Sequence, residues 1–492
     1  MSDASAAAAG GNKQPLNFKS LIKNKLIIFG IAVIVGIIVN YLPISSLAGD
    51  AQATLAIIAF VVVLWVGEVM PAGVAAMLIP VLLLVFLGTE IMPAKTVFGG
   101  FTNSTFWLML GAFMLGQGTS STGLAKRIAY SIMRFGGTNY TRLCIYLWIA
   151  GILLGALVPS GTVRVAIFIP IMMGIVAAYN APSNSKFAAN VLLHVYWSSI
   201  AASTLWYTGT NMNPSAMGIA ETITGYIPGY MTWFIWMLIP TIVLSVGCFI
   251  ITQVVMKPEK EILESVTDAN FITDELAKMG KMTAAEKKAL ALFLVAIILW
   301  LTEKLHGIST AWVAIGMGLL CFMPVIGVLD KKALGKCSWD TLLLLGVALS
   351  FTGILKAVGL DTWLVDTLVS PILTPFSAMG SFGFALGIAI LVALIHFLMA
   401  SASAETTMLA PLICKFTEGI GGNVTVYANI VARSAQNLFL FPYQTLPLVV
   451  LWGTGYMDMP KCLKGMGAIF VFNLLWIALL GPYLEFMTGL IM

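Results

Sequence analysis

Two short segments of small, mostly hydroxyl-bearing residues interrupt long apolar runs of the chain. They are Ser160-Gly161-Thr162 followed by Arg164, and Ser401-Ala402-Ser403 followed by Glu405. A single offset of 241 residues relates them, so that Thr162 corresponds to Ser403 and Arg164 to Glu405. Two copies of a polar break between membrane-length segments indicate a transport site between two repeats.

The chemistry of these segments suits a small anion. Each precedes an apolar run that reads as a helix, and a helix N-terminus carries partial positive charge and free N–H groups. The hydroxyls of Ser160, Thr162, Ser401 and Ser403 add donors. Two such tips facing one another fit a substrate with a carboxylate at each end. Turn carbonyls also bind small cations, so we expect a coupling cation near Ser160, Gly161, Ser401 and Ala402, for which the resemblance described below implies sodium.

Charged residues inside membrane segments are costly unless they are paired or face a wet cavity. Arg164 is predicted to clamp a substrate carboxylate; the alternative is a structural pair with Glu405 or with a helix C-terminus. Glu405 is predicted either to neutralise Arg164 or to carry a coupling proton. Arg433 either snorkels to the surface or faces the cavity, and we favour a structural role for it.

Two further polar clusters predict helices that break within the membrane. One contains Thr210 and Asn211 within Thr208–Pro214, and the other contains Gln444 and Thr445 within Pro442–Pro447. Glycine, proline and amides mark such breaks, and irregular backbone at membrane depth must line protein or a cavity. These four residues either contact the substrate or satisfy freed backbone groups.

Composition fixes the protein class. The chain has 492 residues, of which 59% are hydrophobic and 10% charged, against about 25% charged in soluble domains. Many runs approach the roughly 20 apolar residues that cross a bilayer. We therefore predict an all-α polytopic membrane protein, integral to the cell (inner) membrane and in contact with lipid. The net charge of +5 requires no nucleic-acid partner, because the basic residues sort by loop.

The chain order predicts about 11 transmembrane helices and two re-entrant hairpins. Residues 1–25 form a cytoplasmic tail, and residues 257–288 form a charged cytoplasmic linker between two halves. The first half, 26–256, contains an extra first span, a hairpin at about 140–178 and a broken helix at about 187–228. The second half, 289–492, contains a hairpin at about 380–418 and a broken helix at about 424–456.

An odd number of passes in each repeat predicts that the second repeat is inverted relative to the first. The N-terminus is then cytoplasmic and the C-terminus outside. Of the 26 Lys and Arg residues, 2 lie within membrane segments and 4 in outer segments, which leaves 20 on the cytoplasmic side. That asymmetry agrees with the positive-inside rule.

These motifs resemble the divalent anion:sodium symporter family, which carries di- and tricarboxylates or sulfate. The resemblance covers nearly the whole chain from about residue 50 and includes Leu64 to Pro71, the two tips and the two breaks. The family's tips read Ser-Asn-Thr, and its asparagine contacts both substrate and sodium; here Gly161 and Ala402 replace it. Members with an arginine four residues after the tip serine, as Arg164 is, resemble dicarboxylate exchangers. The resemblance further implies a homodimer with an elevator mechanism.

We therefore predict a secondary active transporter of small organic dianions such as succinate, malate, 2-oxoglutarate or citrate. Sodium-coupled symport is the leading mode, and sodium-independent dicarboxylate exchange and proton coupling are the alternatives. A carrier of sulfate or another anion and an anion channel are further alternatives. An intramembrane enzyme would need a nucleophile with a base or a metal set, and the three histidines sit in no such sequence pattern. No enzymatic activity and no cofactor besides a coupling ion are expected.

Overall fold

The computed structural model describes residues 18–265, 268, 270–399, 401–456 and 459–491. Across these ranges all regular structure is helical, which confirms the all-α class. Outside the described residues lie residues 1–17 of the tail predicted at 1–25, linker residues 266, 267 and 269, residue 400 beside the second tip, and residues 457, 458 and 492. The remaining tail residues, 18–25, form the first two turns of the first helix, which begins at Phe18.

The first half is built from the following helices, numbered in chain order: Phe18–Tyr41 (α1), Gly49–Val66 (α2), Ala72–Ile91 (α3), Ala94–Val97 (α4), Ser104–Ser121 (α5), Leu124–Met133 (α6), Tyr140–Leu157 (α7), Gly161–Ala178 (α8), Lys186–Leu205 (α9), Met212–Thr224 (α10) and Tyr230–Val255 (α11). The linker forms two short helices, Lys260–Leu263 (α12) and Phe271–Lys278 (α13).

The second half continues the numbering: Ala284–Leu301 (α14), Glu303–His306 (α15), Thr310–Leu320 (α16), Trp339–Ala357 (α17), Leu360–Leu364 (α18), Ser370–Ser377 (α19), Gly380–His396 (α20), Ala402–Gly419 (α21), Val424–Asn437 (α22), Leu446–Trp452 (α23) and Met459–Ile491 (α24). A capping box opens α14, since Thr283 and Glu286 exchange side-chain and backbone hydrogen bonds.

Eight helices in the described part of the chain are long and apolar enough to cross a bilayer. They belong to α1, α2, α3, α7, α8, α11, α17 and α24. The remaining predicted crossings fall on helices that are shorter or more polar. The count of about 11 passes and the sidedness of the termini remain predictions.

The two predicted hairpins and the two predicted broken helices correspond to consecutive helix pairs. The hairpins are α7–α8 and α20–α21, and the broken helices are α9–α10 and α22–α23. Each hairpin packs in a crossed manner. Helix α8 contacts α9 of its own half and α23 of the other half, whereas α21 contacts α22 of its own half and α10 of the other. This crossed packing brings both tips to the two breaks.

The broken helices form the centre of the molecule. Every residue of α9 from Phe187 to Leu205 is buried, and so is every residue of α22. Pro214 is the third residue of α10 and Pro447 the second residue of α23. A proline within the first turn of a helix lacks only an N–H that has no helical acceptor there. The prolines therefore restart each helix directly after its break.

The linker packs against the first hairpin. Ser265 Oγ donates to the carbonyl of Tyr179 at 2.8 Å, just after α8. Phe271 packs so closely on Gly174 that a Cβ atom there would come within 1.7 Å of the ring. The glycine therefore permits the linker helix α13 to lie against α8.

Candidate functional site

The first tip is a helix N-terminus with a hydroxyl cap. Ser160 is the N-cap of α8, and its Oγ accepts a hydrogen bond from the N–H of Val163 at 3.4 Å. The N–H groups of Gly161 and Thr162 have no acceptor within the described part of the chain. Free N–H groups at the positive end of a helix are suited to an anion.

The second tip repeats this arrangement. Ser401 is the N-cap of α21 and accepts from the N–H of Ala404 at 3.3 Å. Among described residues, the N–H groups of Ala402 and Ser403 likewise lack an acceptor. The prediction that small hydroxyl residues sit at a turn just before a helix is confirmed for both tips.

Both tips open into one cavity of about 840 Å³. The structure therefore brings Thr162 and Ser403 to a shared hollow. Nine of the twelve predicted site residues line it: Ser160, Gly161, Thr162, Thr210, Asn211, Ser401, Ala402, Ser403 and Thr445. That these nine contact a substrate remains a prediction.

A direct contact joins the two halves at this cavity. The amide Nδ2 of Asn211, at the first break, donates to Ser403 Oγ of the second tip at 2.9 Å. Ser403 Oγ also lies 3.3 Å from Asn211 Oδ1. Both residues are only partly buried, so a substrate can exchange this contact for its own polar groups.

Arg164 lies beneath the first tip and does not line the cavity. The side chain is 0% exposed, and all five of its N–H donors are used. Nε donates to Ser199 Oγ at 3.2 Å, Nη1 to the carbonyls of Val158 and Gly209 at 2.6 and 2.8 Å, and Nη2 to the Ser199 carbonyl at 2.9 Å and to Ser203 Oγ. A direct clamp on substrate is therefore wrong for this conformation, because no donor is left.

The positively charged guanidinium of Arg164 nonetheless lies close to the first tip. A Cβ atom placed on Gly161 would lie 3.7 Å from Nη2. The guanidinium joins the end of α7 to the first break, and its charge stands directly behind the free N–H groups. Its role is to position the tip and to supply fixed positive charge.

The predicted pairing of Glu405 with Arg164 is also wrong. Glu405 Oε2 instead contacts His396 Nδ1, and both side chains are 0% exposed. His396 is the last residue of α20 and Glu405 lies in the first turn of α21, so the pair joins the two arms of the second hairpin. Sequence reasoning missed this histidine; its signal was its position nine residues before an intramembrane carboxylate.

Gln444 fixes the backbone conformation of the second break and does not line the cavity. Its Oε1 accepts from the N–H groups of Leu440 and Phe441 at 2.7 and 2.8 Å. Its Nε2 donates to the carbonyl of His396 at 3.1 Å. All three bonds are to backbone, so the alternative in which this amide satisfies freed backbone groups is the correct one.

Arg433 is fully buried, which excludes snorkelling to the surface. It donates to Thr204 Oγ1 at 3.2 Å and to Asn213 Oδ1, and its guanidinium carbon lies 5.8 Å from the ring centre of Trp233. These contacts tie α22 to both halves of the first broken helix. The structural role predicted for Arg433 agrees with this geometry.

Other cavity residues were missed from the sequence. Ser203 and Gln436 lie in the last turn of the helix that precedes each break, and both line the cavity. A polar residue just before a break was the available signal. Three charged side chains also line the cavity: Lys25 on α1, Glu68 just after α2 and Asp340 at the start of α17.

Comparison with known sequences identifies the family. Residues 23–487 match the family described as "Sodium:sulfate symporter transmembrane region". The chain belongs to this sodium:sulfate symporter family. The resemblance to divalent anion:sodium symporters is thereby confirmed, and so is membership of a family of transporters and not of enzymes.

Curated relatives within the sodium:sulfate symporter family carry names of carboxylate transporters. The "Citrate/succinate antiporter" of Escherichia coli (strain K12) is 27% identical over 388 residues, 75% of this chain and 76% of that protein. "Dicarboxylate transporter 1, chloroplastic" of Spinacia oleracea is 26% identical over 453 residues, 87% of this chain and 77% of that protein. The "Putative malate transporter YflS" of Bacillus subtilis is 26% identical over 71% of this chain and 73% of that protein.

Solved structures of membrane transporters share the fold. The Alcanivorax borkumensis YdaH transporter matches with a TM-score of 0.58 and 16% identity, covering 88% of this chain and 98% of that one. Neisseria gonorrhoeae MtrF matches with a TM-score of 0.54 and 14% identity, covering 93% and 94%. At these identities the likeness shows the fold alone, an all-α polytopic membrane protein.

Proposed function

We propose that this family member is a secondary transporter of small organic dianions, with succinate, malate, 2-oxoglutarate and citrate as candidate substrates. The central observation is that two hydroxyl-capped helix N-termini, one from each half, share one cavity. The relatives' names as dicarboxylate, citrate and malate transporters support this substrate class.

Each tip offers one carboxylate the same set of donors. At the first tip these are the N–H groups of Gly161 and Thr162 with the two neighbouring hydroxyls; at the second they are those of Ala402 and Ser403. A helix N-terminus stabilises a negative charge by roughly 0.3–1 kcal/mol at exposed sites and up to about 2 kcal/mol when partly buried. Two tips acting together therefore favour a molecule with two separated carboxylates over a monoanion.

One observation favours sodium-independent exchange over the sodium symport expected from the sequence. A sodium ion at the first tip would need turn carbonyls, and the carbonyls of Val158 and Gly209 already accept from Arg164. The guanidinium also lies close to Gly161, where its positive charge opposes a second cation. A sodium ion near Ser401 and Ala402 would lie at the second tip, where Arg164 makes no contact. It remains part of the symport alternative.

The elevator movement and the homodimer stay proposals that rest on the family. Disulfide cross-links between hairpin and neighbouring helices, and the mass of the detergent-solubilised protein, test them separately.

Transport by purified protein in liposomes decides the main proposal. We expect labelled succinate to enter liposomes preloaded with unlabelled succinate, with saturation and without a sodium gradient. Entry only with a sodium gradient would establish symport. Non-saturable flux that needs no internal anion would establish a channel, and absence of dicarboxylate flux in all conditions would overturn the proposal.

A further inference from the structure

The second tip rests on a buried acid–base pair that the anion site itself does not use. His396 Nδ1 and Glu405 Oε2 are in contact, and both side chains are fully buried. The other side-chain polar atoms, His396 Nε2 and Glu405 Oε1, have no hydrogen-bond partner among described residues. Buried polar atoms are usually paired, so these two are open positions for a proton.

The pair lies immediately behind the anion-binding end of α21. The Glu405 N–H donates to the carbonyl of Ser401 at 3.0 Å, which places the carboxylate one turn behind the cavity-lining Ala402 and Ser403. Gln444 fixes the His396 backbone carbonyl from the second break. The pair is therefore held between the tip and the break, close to any anion bound there.

The charge of the pair depends on how many protons it holds. A carboxylate beside a neutral imidazole gives the pair a net negative charge. One added proton makes the pair neutral, whether as carboxylate with imidazolium or as acid with imidazole. A second added proton, at whichever of Nε2 and Oε1 is still unprotonated, makes the pair positive. A negative charge beneath an anion site opposes binding, and a positive charge favours it.

Other charged and titratable groups lie on the two helices that carry the pair and on the elements packed against those helices. On α20 and α21 and the described elements packed against them, these groups are Glu221, Asp340, Lys356, Asp361, Asp366, Cys414, Lys415, Glu418, Tyr427, Arg433, Tyr443, Cys462, Lys464, Tyr483 and Glu485. Arg433 bonds Thr204 and Asn213, Lys415 pairs with Glu418, and Glu485 bonds Tyr427 and Ser381. No hydrogen bond from this set reaches the pair within the described residues.

We propose that His396 and Glu405 form a proton-binding site whose second proton is taken up from solvent when a dianion binds at the tips. This inference rests on the proposed function and adds proton coupling to it. By thermodynamic linkage, a bound proton strengthens anion binding as much as a bound anion strengthens proton binding. One proton is then carried with each dianion.

The decisive measurement is succinate binding to purified full-length protein across pH. Above about pH 6.5 ordinary carboxylic acids are ionised, so the ligand itself no longer titrates. We expect wild-type affinity to fall by up to about tenfold for each unit of pH rise, as one linked proton requires. In weakly buffered solution, succinate addition should remove close to one proton per bound molecule.

The double variant H396Q/E405Q keeps two amides that can hydrogen bond but not titrate. We expect its succinate affinity to be independent of pH and its proton uptake to be lost. The control Glu418→Gln, on the same helix but exposed, should keep the wild-type profile. If the double variant does not fold, the wild-type proton count alone decides.

The outcomes separate the two proposals. Succinate binding by the wild type without pH dependence and without proton uptake would overturn the proton site while leaving the transport function standing. No succinate binding at any pH would instead count against the proposed function.

Discussion

The two hairpins have matching shapes and opposite chemistry beneath their tips. At the same offset, the first hairpin places Arg164 and the second places Glu405. Arg164 donates five hydrogen bonds to neighbouring backbone carbonyls and hydroxyls. Among the described residues, the Glu405 carboxylate contacts only His396 and keeps one oxygen without a partner. The first tip therefore stands on a fixed positive charge and the second on a group whose charge can change.

Position 155 of the first hairpin corresponds to His396 of the second at the offset of 241 residues. It is Gly155 in the first hairpin, where an added Cβ would lie 2.6 Å from Ala202 Cβ and 2.7 Å from Trp206 Cδ1. A histidine has no space there, because α7 and α9 approach too closely. Carboxylate and histidine thus occur as a unit in one hairpin, and arginine with glycine occurs in the other.

Arg164→Ala should have the largest effect on stability and transport, because it removes the side chain that fixes the first tip. It leaves the buried carbonyl of Val158 without a donor and the carbonyl of Gly209 with only Ser203 Oγ at 3.3 Å. An unsatisfied buried acceptor costs roughly 1–3 kcal/mol. We expect a destabilisation above about 3 kcal/mol and loss of succinate transport. Thermal unfolding in detergent measures this, with Arg142→Ala, an exposed arginine at the start of α7, as control. Unchanged melting would show that Arg164 does not hold the tip.

Gly155→Ala should have the second-largest effect, a loss of folding stability. The added methyl meets atoms that belong to a packed helix, and overpacking of this kind costs about 1–3 kcal/mol. Gly161→Ala is the matched control, since its nearest neighbour would be Pro447 Cγ at 3.4 Å, an ordinary contact. Equal melting temperatures for the two variants would contradict the close approach at position 155.

Arg127→Ala tests the anchoring at the base of the first hairpin. Arg127 Nε donates to Glu286 Oε1 at 2.7 Å, and this contact lowers the pKa of Glu286. A carboxyl with a lowered pKa contributes stability above its unfolded pKa and loses it as pH falls through the folded pKa. We expect a loss of about 1–2 kcal/mol at neutral pH that shrinks in acid. Lys415→Ala, which breaks an exposed pair near the second hairpin, should have almost no effect.

Ser160→Ala and Ser401→Ala should have small and similar effects. Each removes one N-cap hydroxyl, worth about 1 kcal/mol, and one donor at the cavity. We expect about fivefold weaker succinate binding for either variant, measured by calorimetry. A large difference between them would show that the tips do not share the anion equally.

Sequence reasoning located the elements well because membrane proteins impose strong rules on apolar length and charge. Both hairpins, both breaks and both N-caps were placed from proline, glycine and hydroxyl positions. The partners of buried polar side chains could not be predicted, because they depend on which helices pack against one another. The Ser199 and Ser203 acceptors of Arg164 lie 35 and 39 residues along the chain, and no spacing rule connects them. His396 lies only nine residues before Glu405, but the turn of the hairpin and not a helical repeat brings the two side chains together.

The buried polar character of α9 and α22 has a consequence for biosynthesis. Neither is among the helices that are both long and apolar enough to cross a membrane, and α22 carries Arg433, Gln436 and Asn437. Such a segment cannot rest in hydrocarbon until its partners surround it. Helix α24 packs on α22 and follows it in the chain. The buried centre therefore closes only after α24 has been synthesised and inserted.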